Sequence, residues 1–366
     1  MSVTGACGHP RRAWEPGSSD RVLAIDVGAG TMDVLISEEG QRPENSVKLV
    51  SPSRTVVVAR QIAAASRRGR RVVFRGPTMG GGACAAAAKA HVHAGLELLA
   101  TEEAARTFDD DLERVRRWGA CVVSEDEAAA VVRQGAEEVR SGDVDAEALL
   151  DALERLGVET TFTAAAVAAQ DHGFCPQGSN RVFRFGLWER AIEAGRPLID
   201  LFYLAADIPE ELTRLRAAAS CLTGLGVALV AADTGPAALL GVLPEGVDQA
   251  VLVNVGNGHT ICVVALQGRL TGVFEHHTGR LDGTRLERLL RRFLAGRLSG
   301  DEVRADGGHG AVLRGAVPSG LPVLVTGPNR ELLAGSGLPV TFPAPYGDTM
   351  LAGPVGLVRG CRARLG

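Results

Sequence analysis

Two stretches of this chain can be laid one over the other without a gap. They are "LAIDVGAGTMDVLI", residues 23–36, and "VLVNVGNGHTICVV", residues 251–264. Asp26 falls on Asn254, Gly28 on Gly256 and Gly30 on Gly258. In each, an apolar run enters two glycines separated by one residue, and a second apolar run leaves them. That pattern predicts a hairpin. An echo of this length predicts a duplicated unit. The chain is therefore expected to be an α/β protein of two lobes, each opening on a glycine hairpin.

Glycine at a hairpin tip lets the backbone come close to a ligand. Successive N–H groups there form a concave anion site. A carboxylate at the strand end can orient the waters that Mg²⁺ retains, which makes Asp26 a candidate catalytic and metal-orienting residue. Thr31 offers a hydroxyl at the same tip. A dinucleotide fingerprint would need a helix directly after the glycines, but "MDVLIS" and "TICVVAL" have strand character. Two ordinary glycine hairpins without a ligand would share the pattern.

Between and after the hairpins, helical and strand-like runs alternate in α/β order. They predict a loose tail over 1–20, a first lobe over 21–235 and a second over 236–366. An α/β insertion over about 76–220 is expected within the first lobe. With 46% apolar residues the chain can bury a large core. Its net charge of −4 and 4% aromatic content argue against nucleic-acid binding. The longest apolar region, "CLTGLGVALVAADTGPAALLGVL", is broken by Asp233 and Pro236, so no membrane span is expected. The seven cysteines form no C-x-x-C pair, which fits a reducing cytoplasm and excludes the tight triplet of a radical-type iron–sulfur cluster.

The motifs now in hand resemble the actin, Hsp70 and sugar-kinase ATPase superfamily. "AIDVGAGTMD" is similar to its first phosphate motif, "DTGPAALLGVL" to its first connecting segment and "LVNVGNGHT" to its second phosphate motif. "VLVTGPNRELL" resembles its adenosine motif, and "YGDTMLAGPVGLV" its second connecting helix. "TMGGG", "QDHG", "DTGPAA", "NVGNGHT", "EHHTG", "GGHGA" and "TGPNR" further resemble a family labelled pyruvate formate-lyase activating enzyme-like (DUF1786). The cysteine spacing does not support that label's radical chemistry.

The resemblance implies two ribonuclease-H-like lobes around a cleft holding ATP and Mg²⁺. Asp26 would orient Mg²⁺ through water. Gly28, Ala29, Gly30 and Thr31 would hold one side of the phosphates. Asn254, Gly256, Asn257, Gly258 and His259 would hold the other. Gly327, Pro328 and Asn329 would lie along the adenosine. Two departures bear on turnover. Asn254 stands where that superfamily usually places Asp, and an amide is neutral. Thr234 takes the place of a carboxylate in the connecting segment, with Asp233 one residue away as the candidate substitute.

Other pairings compete for chemistry. Asp171 beside His172 could make a general base, or Asp171 could cap a turn. Arg181 and Arg184 could grip an anion. Three of His172, His259, His276, His277 and His309 could bind Zn²⁺ or Fe²⁺ if they met. Neighbours on a strand point to opposite faces, so one of His276 and His277 is expected to face the cleft toward phosphate or substrate while the other packs. The glycines of "GPTMGGGACAAAAKAH" could bind an anion at a helix start, on the second-substrate side. Asp109, Asp110 and Asp111 are expected to begin a helix. The resulting expectation is a cytoplasmic nucleotide-binding protein that acts as a small-molecule kinase or an ATP-driven activator of another enzyme. The alternative is a non-catalytic scaffold or sensor with weakened hydrolysis.

Overall fold

The computed structural model describes residues 20–366, so the tail expected over 1–20 lies, apart from Asp20, outside the described residues. Strands β1 (Arg21–Val27) and β2 (Thr31–Glu38) form the first hairpin, with β3 (Val47–Pro52) beside it. Asp26 faces Asp33 across the antiparallel β1–β2 ladder. β1 is buried on both faces, which explains its unbroken apolar run. β3 was not expected from the sequence. Its half-exposed "VKLVSP" pairs with β2 at the sheet edge, where one face stays wet.

The chain then leaves this sheet. Helix α1 (Arg54–Arg67), β4 (Val72–Arg75), α2 (Gly82–His93) and β5 (Leu98–Thr101) follow in turn. Next come α3 (Glu102–Ala105), α4 (Leu112–Arg117), β6 (Cys121–Val123), α5 (Glu125–Arg133), β7 (Glu137–Arg140) and α6 (Ala146–Arg155). The four strands make an all-parallel sheet in the order β6-β5-β4-β7. Asp111 caps α4 through the backbone N–H of Glu113, which realises the helix start expected in the aspartate triplet.

The chain returns to the first sheet with β8 (Ala164–Ala169), α7 (Asn180–Glu193), β9 (Phe202–Leu204), α8 (Thr213–Ser220) and β10 (Ala228–Ala232). That sheet reads β3-β2-β1-β8-β10-β9, with β8 parallel to β1 and β10 parallel to β8. The insertion is therefore narrower and earlier than about 76–220. It lies between β3 and β8, because β8 and β10 pair into the first lobe's own sheet.

Helix α9 (Thr234–Val242) leads into β11 (Ala250–Val255), β12 (His259–Leu266) and β13 (Arg269–His277). Helices α10 (Gly283–Leu294) and α11 (Gly300–Ala305) and strands β14 (Gly310–Leu313), β15 (Val323–Thr326) and β16 (Val340–Thr341) complete the second sheet. Its order is β14-β13-β12-β11-β15-β16. Each lobe thus has an antiparallel three-strand meander, and parallel strands continue the sheet from the meander's first strand. This is the ribonuclease-H-like arrangement, present twice, as in actin-like ATPase folds. The antiparallel hairpins dispose of the dinucleotide-fingerprint alternative.

Helix α12 (Ala352–Leu365) closes the chain. It does not stay in the second lobe, as a boundary at 236–366 would require. Val355, Leu357 and Val358 pack with Val22, Ala24 and Ala166 of the first sheet. Conversely, α9 buries Leu239 and Val242 with Leu252 and Ile261 of the second. The two helices cross in backbone contact. A Cβ on Gly241 would lie 1.8 Å from the Ala352 carbonyl, and one on Gly356 would lie 1.8 Å from that of Ala237.

Candidate functional site

Both glycine hairpins point into one cleft, a cavity of about 430 Å³ between the lobes. In the first hairpin, the Gly28 N–H donates to the Thr31 carbonyl at 2.8 Å, which makes the turn tight. In the second, the Gly256 N–H donates to the His259 carbonyl at 2.9 Å. The tips face each other, since a Cβ on Gly30 would stand 3.6 Å from the Asn257 amide nitrogen. Gly28, Ala29, Thr31, Asn254, Gly256, Asn257, Gly258, His259, Gly327 and Pro328 all line the cavity.

Asn329 is placed differently. Its N–H donates to the Val255 carbonyl at 3.0 Å and its side-chain amide to the Gly256 carbonyl at 3.1 Å. It braces the second hairpin from behind. Gly327 must be glycine, because its φ is +97° and a Cβ there would lie 2.6 Å from Asn254 Oδ1.

Asp26 forms the floor. It is 6% exposed, and its Oδ1 accepts the Thr234 hydroxyl at 3.0 Å, across the start of α9. Burial, then the charge of Asp33, pushes its carboxyl well above the usual range despite that bond. Burial likewise raises Asp33 to about 7. Asp33 Oδ1 is buried without a partner. Two carboxylates opposed on one ladder, with little to compensate them, form a site that lacks positive charge. Sequence reasoning missed Asp33. The signal was there, because strand alternation puts residues three before and three after a shared turn centre on one face.

The rest of the floor is locked by arginine. Asp233 caps α9 through the Gly235 N–H at 3.0 Å, and also accepts the Asp171 N–H at 2.9 Å. Arg184, from α7, gives it bonds of 2.6 and 3.1 Å. The same guanidinium donates to Glu275 of β13 at 2.9 Å. Burial alone would raise Asp233, but the Arg184 charge outweighs it and holds the carboxyl below its usual range. Every accepting position of Asp233 is used. Asp171 is equally committed, with one oxygen to the Gly173 N–H and the other to the Leu215 N–H. It fixes the start of α8 and makes no side-chain bond to His172. Of the two arginines singled out, Arg184 lines the cleft and Arg181 does not. Arg181 is exposed and donates to the Gly307 carbonyl at 3.1 Å.

The insertion supplies the opposite wall through Thr78, Gly80, Gly81 and Gly82, just before α2. This turn is tightly held. The Gly80 N–H donates to Asp143 at 3.0 Å, and a Cβ on Gly80 would collide with the Arg214 guanidinium that Asp143 also binds.

The histidines divide as strand alternation requires. His276 is fully buried, packs near Phe274, and stands 3.3 Å from Asp306. His277 faces the other way and meets His259 and His309, with ring centroids 4.7 and 4.9 Å away. His172 completes the group, 5.5 Å from His259. Burial, with Arg184 nearby, holds His309 at about 3, and burial holds His259 at about 3, so both are neutral. No helix among the described residues is long and apolar enough to cross a membrane.

The family model described as "Putative pyruvate format-lyase activating enzyme (DUF1786)" matches residues 79–332. No curated protein matches the sequence significantly. Among solved structures, the ethanolamine utilization protein EutJ from Carboxydothermus hydrogenoformans is similar at 14% identity, covering 94% of this chain and 92% of that one, with a TM-score of 0.34. MreB5 of Spiroplasma citri, solved bound to ADP, has 10% identity, coverage of 95% and 99%, and a TM-score of 0.34. The ROK hexokinase from Thermus thermophilus has 11% identity, coverage of 94% and 99%, and a TM-score of 0.31.

Proposed function

The chain belongs to the DUF1786 family, whose model covers more than half of it, and we propose that it binds ATP with Mg²⁺ between its lobes. One observation carries this reading: two glycine tips face each other across a buried, uncompensated carboxylate pair. The residues present fit the ligand. The turns are tight at Gly28 and Gly256, where a Cβ would stand 3.1 Å from the Thr31 carbonyl and 2.9 Å from the His259 carbonyl. The unpartnered Asp33 Oδ1 and the raised Asp26 both favour a nearby cation.

In this reading Asp26, oriented by the Thr234 hydroxyl, accepts hydrogen bonds from metal-bound water. The N–H groups of both tips hold the phosphates. The N-terminus of α9, also in the cleft, adds its partial positive charge. Mg²⁺, when bound, supplies charge neutralisation at the phosphates. Gly327 and Pro328 lie on the adenosine side. A phosphoryl acceptor, whether small molecule or partner enzyme, approaches from the Gly80–Gly82 wall.

A second reading is favoured by the state of the carboxylates. Asp233 is fully bonded to Arg184, Asp171 to backbone, and Asn254 is an amide. None offers a free base beside the tips. Binding with slow turnover, as in a nucleotide-dependent scaffold or sensor, follows from that arrangement more directly than rapid kinase activity does.

The test is calorimetry of ATP and ADP, with and without Mg²⁺, on wild type and Asp26→Asn. We expect wild type to bind both nucleotides. The variant should lose about 10- to 100-fold in affinity (about 1.4–2.7 kcal/mol), and only when Mg²⁺ is present. Wild-type protein that binds neither nucleotide would overturn the proposal.

A further inference from the structure

The histidine group is not needed to hold a nucleotide, yet its construction calls for an occupant. We propose that His172, His259 and His309 form a binding site for one divalent transition-metal ion of the zinc class, with His277 beside it. The inference stands without the nucleotide reading.

The fold brings these rings together from four places. His259 opens β12 and His277 ends β13, and the two are cross-strand partners. His309 directly precedes β14, and its N–H is tied to the Glu275 carbonyl at 3.0 Å. His172 comes from the loop after β8, in the other lobe. One ring nitrogen from each of His172, His259 and His309 lies within 4.8 Å of the others, the one such group among the described residues. A metal–nitrogen bond of about 2.1 Å requires each nitrogen to move inward by only about 1 Å.

Hydrogen bonding supplies the second observation. His309 is 0% exposed, and neither of its ring nitrogens has a partner. His259 Nε2 is also buried and unpartnered. Leaving a buried polar atom unpaired is destabilising. Each ring gives one ion a single nitrogen, so His259 Nε2 and one nitrogen of His309 meet the ion with their lone pairs while the other His309 nitrogen keeps its proton. His259 Nδ1 already has its orienting group, the Gln170 side-chain amide at 2.6 Å. Turned with its oxygen inward, that amide accepts Nδ1–H and leaves Nε2 as the ligand.

Charge agrees. Arg184, Asp233 and Glu275, bonded together beside the cluster, sum to one net negative charge. All-imidazole donors select zinc, iron, nickel or copper and not the oxygen-seeking Mg²⁺ or Ca²⁺. Three ligands with His172 and His259 only partly buried leave a position open to the cleft. Because His172 belongs to one lobe and the rest to the other, the ion also ties the lobes together.

The test uses the full chain, stripped with chelator and titrated with Zn²⁺ alone, without nucleotide. We expect one Zn²⁺ per chain and a rise in melting temperature, as ligand linkage requires. Co²⁺ should give the intense visible bands of a four-coordinate site. His309→Ala should weaken Zn²⁺ by more than about 100-fold. His172→Asn, on the half-buried loop, should do so with its circular dichroism unchanged, which guards against a folding defect in the first variant. His93→Ala, at the end of α2, should bind as wild type. Absence of stoichiometric Zn²⁺ binding by wild type would overturn the proposal. So would a folded His172→Asn that binds as wild type. Loss of nucleotide binding with Zn²⁺ binding intact would reject only the function proposed above.

Discussion

Asn254 stands at the position matching Asp26, yet only one of the two can take up a charge. Asp26 can ionise, though burial resists it, and Asn254 cannot ionise at all. Replacing Asn254 with Asp adds a third carboxylate to the cleft and raises its demand for a cation. Asn254→Asp should therefore tighten Mg²⁺-dependent nucleotide binding and raise any ATP hydrolysis, read by calorimetry and phosphate release. Asp33 provides a pH signature. Its folded pKa of about 7 lies above the unfolded value near 3.8, so the folded chain holds the extra proton between them. Stability of the ligand-free protein should fall as pH rises through that window and level off above it. Asp33→Asn removes the cost. Its melting temperature should exceed wild type by a few degrees at pH 8 and match it near pH 4. Mg²⁺ with nucleotide should reduce that advantage. Asp26 was legible because it ends an apolar strand before a glycine pair. Asp33 was legible only through its register with Asp26, and Gln170 and Glu275 were not, because their partners lie far along the chain, at His259 and Arg184.

At the scale of elements, helix packing decides. The α9–α12 crossing tolerates no side chain at Gly241 or Gly356, where the opposing atoms are backbone and cannot swing aside. Gly356→Ala should cost roughly 3 kcal/mol or more, read by denaturant melts, because the crossing must separate. Gly353→Ala should act on function as well, since its Cβ would fall 1.9 Å from Asp26 Oδ2. A sequence shows "LAGPVG" as a weak helix, and by propensity it is one. The glycines are there for proximity, not for flexibility. The hairpins were readable from two apolar runs and a turn. β3 was not, because an edge strand with one wet face has no continuous apolar run.

For the molecule as a whole, the lobes are joined by exchanged helices and by one buried ion triad. Arg184 links Asp233 at the start of α9 to Glu275 in the second sheet. Arg184→Met leaves two buried carboxylates without their counter-charge. It should cost about 3–5 kcal/mol, measurable as an early unfolding transition. The duplicated lobe was visible in the internal echo. The narrower insertion was not, because "TTFTAAAVAA" reads as a strand without saying which sheet it joins, and only its pairing with β1 assigns β8 to the first lobe. The exchange of α12 has a consequence for synthesis. The sheet begun by residues 21–27 is covered on one face by residues 352–365. A chain emerging from the ribosome therefore completes the lobe that holds residues 21–27 only after residues 352–365 have been made. Until then an apolar face of valine and alanine waits uncovered, open to any chaperone that binds such surfaces.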